Sequence, residues 1–189
     1  MVTGSKKVTT ADKVSGDTDS RTELVRAAQR LLAQRPPSGI TGKQVAKESG
    51  VHYGLIYHYF ESKDALFLEA MQQLTSGYIK HRDDTVDRSV ALPRLTFEGH
   101  EMWWRAAANF SADGGASYNS LGWTYPVLNH ELEAILAHHP EVSELEAKAH
   151  IVREVCMNFG WMFFKETLAR GMELTDEQMA ELGHFISES

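Results

Sequence analysis

Residues 40–63 read ITGKQVAKESGVHYGLIYHYFESK, and this stretch decides the fold. Thr41-x-x-Gln44 is a capping box, in which the threonine hydroxyl and the glutamine side chain satisfy two orphan N–H groups at a helix start. Ile40 and Val45 occupy the two positions of a hydrophobic staple. The helix so opened is short, running to about Ser49, and Gly50 supplies a turn. A second short helix is expected over His52–Tyr59. Ser62 and Asp64 then mark the opening of a longer one, as N-cap and first-turn acid. Two short helices joined by a tight glycine turn and packed on a preceding helix make a helix-turn-helix. The second must be slim enough for a groove about 12 Å wide. Its apolar side, from Val51, Leu55 or Ile56, and Tyr59, is expected to face inward, leaving polar groups outward.

Upstream, Ser20-x-x-Glu23 is another capping box, followed by Leu24, Ala27, Ala28, Leu31 and Leu32 at helical spacing. Pro36-Pro37 closes that helix. Residues 1–19 offer almost nothing to bury and are expected as a disordered arm, with Lys6, Lys7 and Lys13 as solvated charges or contacts to a polyanion. Downstream, Leu66, Phe67, Ala70, Met71 and Leu74 carry the helix that opens at Ser62 to about residue 80. His81–Arg88 reads as a charged connector. Helices are expected over 94–111, 124–138, 142–170 and 175–187, with a loop at 112–122. The class is all-α. The expected division is an arm (1–19), a helix-turn-helix domain (20–66, with its last helix continuing to about 80 as a connector) and a helical domain (81–189).

Composition narrows the function. The net charge is −7, but it is unevenly distributed: residues 1–80 carry +3 and residues 81–189 carry −10. Salt screens charges beyond about 10 Å, so an acidic remote half does not bar the first half from phosphate. The single cysteine, Cys156, excludes a disulfide framework within the chain and fits a reducing cytoplasm. No apolar run approaches the ~18 residues of a membrane span.

The run from Ile40 to Phe67 resembles the tetracycline-repressor (TetR) family. Thr41, Val45, Ala46, Gly50, Val51, Gly54, Ile56, Tyr57, His58, Tyr59, Phe60, Ser62, Lys63 and Leu66 carry the resemblance. The whole match covers about 50 residues, from the helix before Pro36 through the start of the helix that opens at Ser62, and the rest of the chain matches only in length and helical character. The resemblance implies a sequence-specific transcriptional regulator that binds double-stranded operator DNA as a homodimer. Thr41 and Lys63 look like phosphate contacts at helix starts. Tyr57 and His58 resemble residues that grip the sugar-phosphate backbone. Gly54 lets the helix approach DNA closely, while Tyr53 and Leu55 stand where family members face base edges. His52 and Lys43 complete the expected DNA-facing set. Two departures stand out. His52 replaces a small hydroxyl residue, so the helix cap is weaker or differently made. Leu55 replaces a small polar residue, and leucine offers a base only apolar contact, for example with a thymine methyl.

The family also implies a small, largely apolar effector that releases a repressor from an inverted-repeat operator. All four tryptophans lie beyond residue 100, and apolar, aromatic-lined concavities with few polar groups suit small ligands. Trp103, Trp104, Phe110, Tyr118, Trp123 and Met157 are the candidate lining, with His100 and Asn158 as polar anchors; each of these aromatics also serves as ordinary core. Ile151–Leu168 is apolar on more than one side, which implies a second buried contact, within the domain or with another subunit. Val155, Phe159, Trp161 and Phe164, with Met179, Leu182 and Phe185 from the next helix, form the candidate dimer interface.

Other classes remain as alternatives. One is a DNA-binding regulator without a small ligand, acting through a protein partner. Another is metal sensing through some of the nine histidines. An enzyme lacks its motif here: there is no HExxH, G-x-S-x-G or phosphate-cradling glycine loop, and neighbouring histidines on a helix point apart. No cofactor or resident metal is implied.

Overall fold

The computed structural model describes residues 10–89, 92, 94–96, 99–113 and 122–188, with side chains between Asp19 and Gly183. Every regular element among them is helical: α1 (Thr10–Leu32), a 3-10 turn (Pro37–Gly39), α2 (Gly42–Ser49), α3 (Gly54–Phe60), α4 (Lys63–Thr85), α5 (Glu101–Ala112), α6 (Pro126–His138), α7 (Glu144–Gly171) and α8 (Asp176–Glu188). No described helix is long and apolar enough to cross a membrane.

The chain forms two compact units, Met1–Leu74 with Arg105–Trp123, and Thr75–Trp104 with Thr124–Ser189. In the first, Leu24, Ala27, Ala28 and Leu32 of α1 are fully buried, together with Val45, Ile56, Leu66 and Ala70. The stripe read upstream of the two prolines is thus one wall of a small core. The helix itself starts at Thr10, ten residues before the Ser20 capping box, so residues 10–19 of the expected arm are helical; residues 1–9 lie outside the described set. Once a packed helix exists, each added residue gains a backbone bond without a new nucleus, and the extension needs no apolar face of its own.

Residues 105–123 were expected to belong with the C-terminal half, and the structure groups them with the first unit. Polar contacts explain the attachment. The Asn109 amide donates to the Leu32 carbonyl at 2.8 Å, satisfying one of the orphan acceptors at the end of α1. The Ser38 hydroxyl donates to the Asp113 carboxylate.

In the second unit, His81–Arg88, read as a charged connector, is helical as far as Thr85 and buries Arg82 and Arg88. Helix α4 runs on to Thr85, and Arg82 lies on its buried face with 1% exposure. Arg82 is four residues beyond buried Tyr78 and seven beyond buried Thr75, so it continues the inward stripe. Its Nε and Nη2 reach the two carboxylate oxygens of buried Glu131 on α6 at 3.1 and 3.0 Å. Arg88 donates to the same carboxylate at 3.2 and 3.3 Å. Two cations therefore share one buried anion. Exposed Asp83 stands 3.3 Å from Arg88 and supplies a second.

Candidate nucleic-acid interface

The turn between α2 and α3 follows from its residues. Thr41 caps α2 with both halves of the expected box in place: its hydroxyl accepts from Gln44 N–H at 3.3 Å, and Gln44 Oε1 accepts from Thr41 N–H at 2.7 Å. Ile40 and Val45 are buried at the staple positions. Gly50 ends α2 in the left-handed region (φ 70°), which glycine adopts without a Cβ penalty.

Helix α3 begins at Gly54, two residues later than its expected start, and His52 makes its cap. The His52 Nδ1 accepts from the Gly54 N–H at 3.2 Å, so the imidazole does the work of the small hydroxyl residue it replaces. A Cβ on Gly54 would stand 3.3 Å from that nitrogen and 3.4 Å from Cε1. Gly54 therefore makes room for its own cap, a role separate from the close approach to DNA that the resemblance implies.

Ile56 and Phe60 form the buried side of α3, while Val51, Leu55 and Tyr59 are half-buried. The Phe60 ring lies under the Arg21 guanidinium at 4.9 Å, and Arg21 is held by a two-pronged pair with Glu69 at 2.7 and 2.6 Å. On the opposite side His52, Tyr53, Gly54, Tyr57 and His58 are exposed. Thr41 and Lys43 at the start of α2 are exposed as well. The Tyr53 and Tyr57 hydroxyls meet at 2.9 Å, with their rings edge to face at 5.5 Å. That bond, with the Tyr53 charge that would form beside it, raises the ionisation of the Tyr57 phenol above its ordinary value.

Lys63 is half-buried. Its ammonium donates to the carbonyls of Pro37 at 3.3 Å and Ile40 at 3.0 Å and lies 5.0 Å above the Phe67 ring. It thus ties the start of α4 to the segment that enters α2. The resemblance suggested only a phosphate contact there, and the spacing of Lys63 from residues 37 and 40 gave no sign of this second task.

The candidate effector residues are divided between the units. Phe110, buried, and Trp123, half-buried, belong to the first; His100, Trp103, Trp104, Met157 and Asn158 belong to the second; Tyr118 lies outside the described residues. Within the second unit Trp103 stacks on Tyr78 at 4.4 Å and donates to the Thr75 hydroxyl at 2.9 Å. Trp104 meets Trp103 and Phe159 edge to face at 4.9 and 5.1 Å and donates to the Thr96 carbonyl at 3.0 Å. Tyr78 donates to that same carbonyl at 3.1 Å, and burial drives its phenol ionisation far upward. The Asn158 amide donates to the carbonyls of Leu95 and Glu154. Leu95 N–H in turn donates to buried Glu154 at 3.3 Å. Side chains of α4, α5 and α7 thus fasten the backbone of residues 94–96, a role no sequence pattern signalled. Among the described residues no three His, Cys, Asp or Glu side chains are grouped to hold a metal ion.

Of the candidate interface residues, Val155, Phe159, Trp161, Met179 and Leu182 are half-buried and Phe164 is 59% exposed; the side chain of Phe185 lies outside the described residues. A Cβ on Gly183 would stand 3.5 Å from Trp161, which places that ring against α8.

A helix-turn-helix with an outward polar face and a buried aliphatic–aromatic seam defines a class of DNA-binding module. Residues 24–70 match the pattern described as bacterial regulatory proteins, tetR family, and the resemblance read over Ile40–Phe67 lies inside this match. The HTH-type transcriptional regulator BetI of Brucella anthropi is 34% identical over 103 residues, covering 54% of this chain and 50% of the relative. BetI of Brucella abortus is likewise 34% identical over 103 residues, 54% and 49% of the two chains. The HTH-type transcriptional regulator Mb3439c of Mycobacterium bovis is 24% identical over 159 residues, 82% and 80% of the two. The chain thus spans about half the length of the BetI relatives it matches.

Proposed function

We propose that the chain is a DNA-binding transcription regulator, a repressor that holds an inverted-repeat operator as a homodimer and is released by a small, largely apolar effector. The observation that carries the reading is the division at α3: Ile56 and Phe60 are locked inward, while Tyr57 and His58 on the same short helix, and His52 and Tyr53 just before it, stand exposed. A helix so divided is held from behind and free to enter a major groove. Thr41, Lys43, Tyr57, His58 and Lys63 take phosphate and sugar; Tyr53 and Leu55 take base edges, with Gly54 permitting close approach. The relatives named as HTH-type transcriptional regulators support the same reading.

Support for pairing comes from α7. Val152, Phe163, Phe164 and Leu168 are 44–61% exposed, and a Cβ on Gly160 would meet nothing within 4 Å in its own chain. An apolar helix left uncovered in this way suits burial against a second copy. An effector acts by linkage: it shifts DNA affinity only as far as it prefers a state with differently spaced recognition helices. A second reading, regulation through a protein partner without a small ligand, draws on the indole and amide groups of Trp103, Trp104 and Asn158, all engaged inside the protein.

Selection of binding sites from random duplexes tests the core of the proposal. An inverted repeat with half-sites about one DNA turn apart, or a multiple of it, is the expected product. Recovery of no preferred sequence sinks it. Lys63→Ala is expected to weaken binding to all duplexes and to lower the salt slope by about one unit. Phe164→Asp, at an exposed position that should spare the fold, is expected to sediment as monomer; persisting dimers would move the interface elsewhere.

A further inference from the structure

Gly42 is the first residue of α2 and belongs to none of the DNA-facing sets above. A Cβ built on it would stand 2.8 Å from Cε2 of Tyr53, a distance real Cβ atoms essentially never show, and 3.6 Å from Tyr53 Cδ2 and from Cδ1 of Ile56. The bare Cα is thus a seat for the Tyr53 ring. Two neighbours close that seat unequally. Ile56 is fully buried and cannot yield without disturbing the core, whereas Tyr53 is 38% exposed and can swing outward. A methyl at position 42 is therefore relieved at the expense of Tyr53.

Tyr53 is not alone. Its hydroxyl meets that of Tyr57 at 2.9 Å, one helical turn further on and on the same face. A displaced Tyr53 ring takes its half of that bond with it. We propose that Gly42 is a specificity-determining positioning residue: it seats Tyr53, Tyr53 holds Tyr57, and the base-facing and backbone-gripping tyrosines are set as one unit. The inference rests on the DNA-binding reading for its consequence, but not for its geometry. The two are separable because the seat has a readout that needs no DNA.

That readout is the ionisation of Tyr57, which the Tyr53 hydroxyl raises above the ordinary phenol value. Ring-carbon resonances of labelled tyrosine, with Tyr57 assigned from Tyr57→Phe, follow it in the full chain. Gly42→Ala is expected to lower the Tyr57 titration midpoint toward that of Tyr53→Phe, while the thermal midpoint stays at the wild-type value. On duplexes selected by the wild-type protein, Gly42→Ala is expected to lose about tenfold in affinity, the scale of one good base contact, and to alter base preference in site selection. Binding to random duplex should fall less than binding to the selected duplex, because of the two tyrosines only Tyr57 meets the backbone. In a Tyr53→Ala background the same substitution should change specific affinity by less than about twofold, because the group it displaces is gone.

An unmoved Tyr57 midpoint in Gly42→Ala overturns the seat. So does an equal affinity loss with and without Tyr53. A moved midpoint with unaltered base preference overturns the specificity role and leaves the tyrosine pair as a structural contact only. If the wild-type protein selects no sequence, the DNA reading fails and the specificity role falls with it, while the Tyr57 midpoint still decides the seat.

Discussion

The two units spend polarity in opposite ways. In the first, polar side chains sit at helix starts and on the outer face of α3: Thr41 closes its box, His52 caps Gly54, and Tyr53 and Tyr57 pair in the open. In the second, polarity is driven inside: Arg82, Arg88 and Glu131 meet where exposure is at most 8%, and Trp103, Trp104 and Tyr78 direct their donors inward. Surface polarity at element boundaries follows local rules. Buried polarity answers to partners far away in sequence, since Arg82 and Glu131 are 49 residues apart. The difference teaches where stability is vulnerable and what a sequence can announce.

The hardest blow to this contrast is Glu131→Gln. It leaves two arginines facing a neutral amide in a buried site, and breaking a buried pair by removing one partner costs about 3–5 kcal/mol. The cost is expected in urea or thermal unfolding as a large loss in the second unit's signal, followed through tryptophans 103, 104 and 161. A loss under about 1 kcal/mol would mean that solvent reaches the site and that the contrast between the units is superficial.

Next in size is Thr41→Ala, which removes the side-chain acceptor and half of the capping box of α2. Such a change costs about 0.5–2 kcal/mol. It sharpens the comparison because the same polar deletion is cheaper at an exposed cap than in a buried cluster. Equal losses for Thr41→Ala and Glu131→Gln would break the ordering.

The same difference explains what the residues announced. The capping box at Thr41, the staple of Ile40 and Val45, Gly50 and the proline pair are local signals, and α2, the turn and the all-α class were legible from them. Even where the local rule was broken, at His52, the sequence marked the place as altered, and the imidazole cap is the physical answer. The burial of Arg82 was not legible because a charge run normally marks a solvated face; only its spacing from Thr75 and Tyr78 betrays it. The tasks of Lys63 and Asn109, which fasten carbonyls 23 or more residues away, had no local signal at all. The same holds for the Gly42 seat, since glycine at a helix start reads as neutral until the ring beside it is seen.

The smallest expected effect concerns His100, where the second unit's inward habit reaches a group that titrates near neutrality. Burial, and then the neighbouring His81 ring 4.6 Å away, hold its ionisation below the ordinary histidine value of 6.5, against a weaker opposite pull from Glu101. The folded state therefore binds the proton less readily than the unfolded chain. Stability from this source is intact above pH 6.5, where both states are neutral, and it declines as pH falls from 6.5 through the depressed folded value. Below that value both states are protonated and the decline stops. Thermal midpoints measured between about pH 7.5 and 5 should fall less steeply in His100→Gln than in the wild-type protein, because the substituted side chain takes up no proton in either state. The first unit's exposed pair offers a control: Tyr57 titrates far above this window, so Tyr57→Phe should leave the slope unchanged. Identical slopes for His100→Gln and the wild-type protein would mean that the ring is hydrated as freely as the histidine on the outer face of α3.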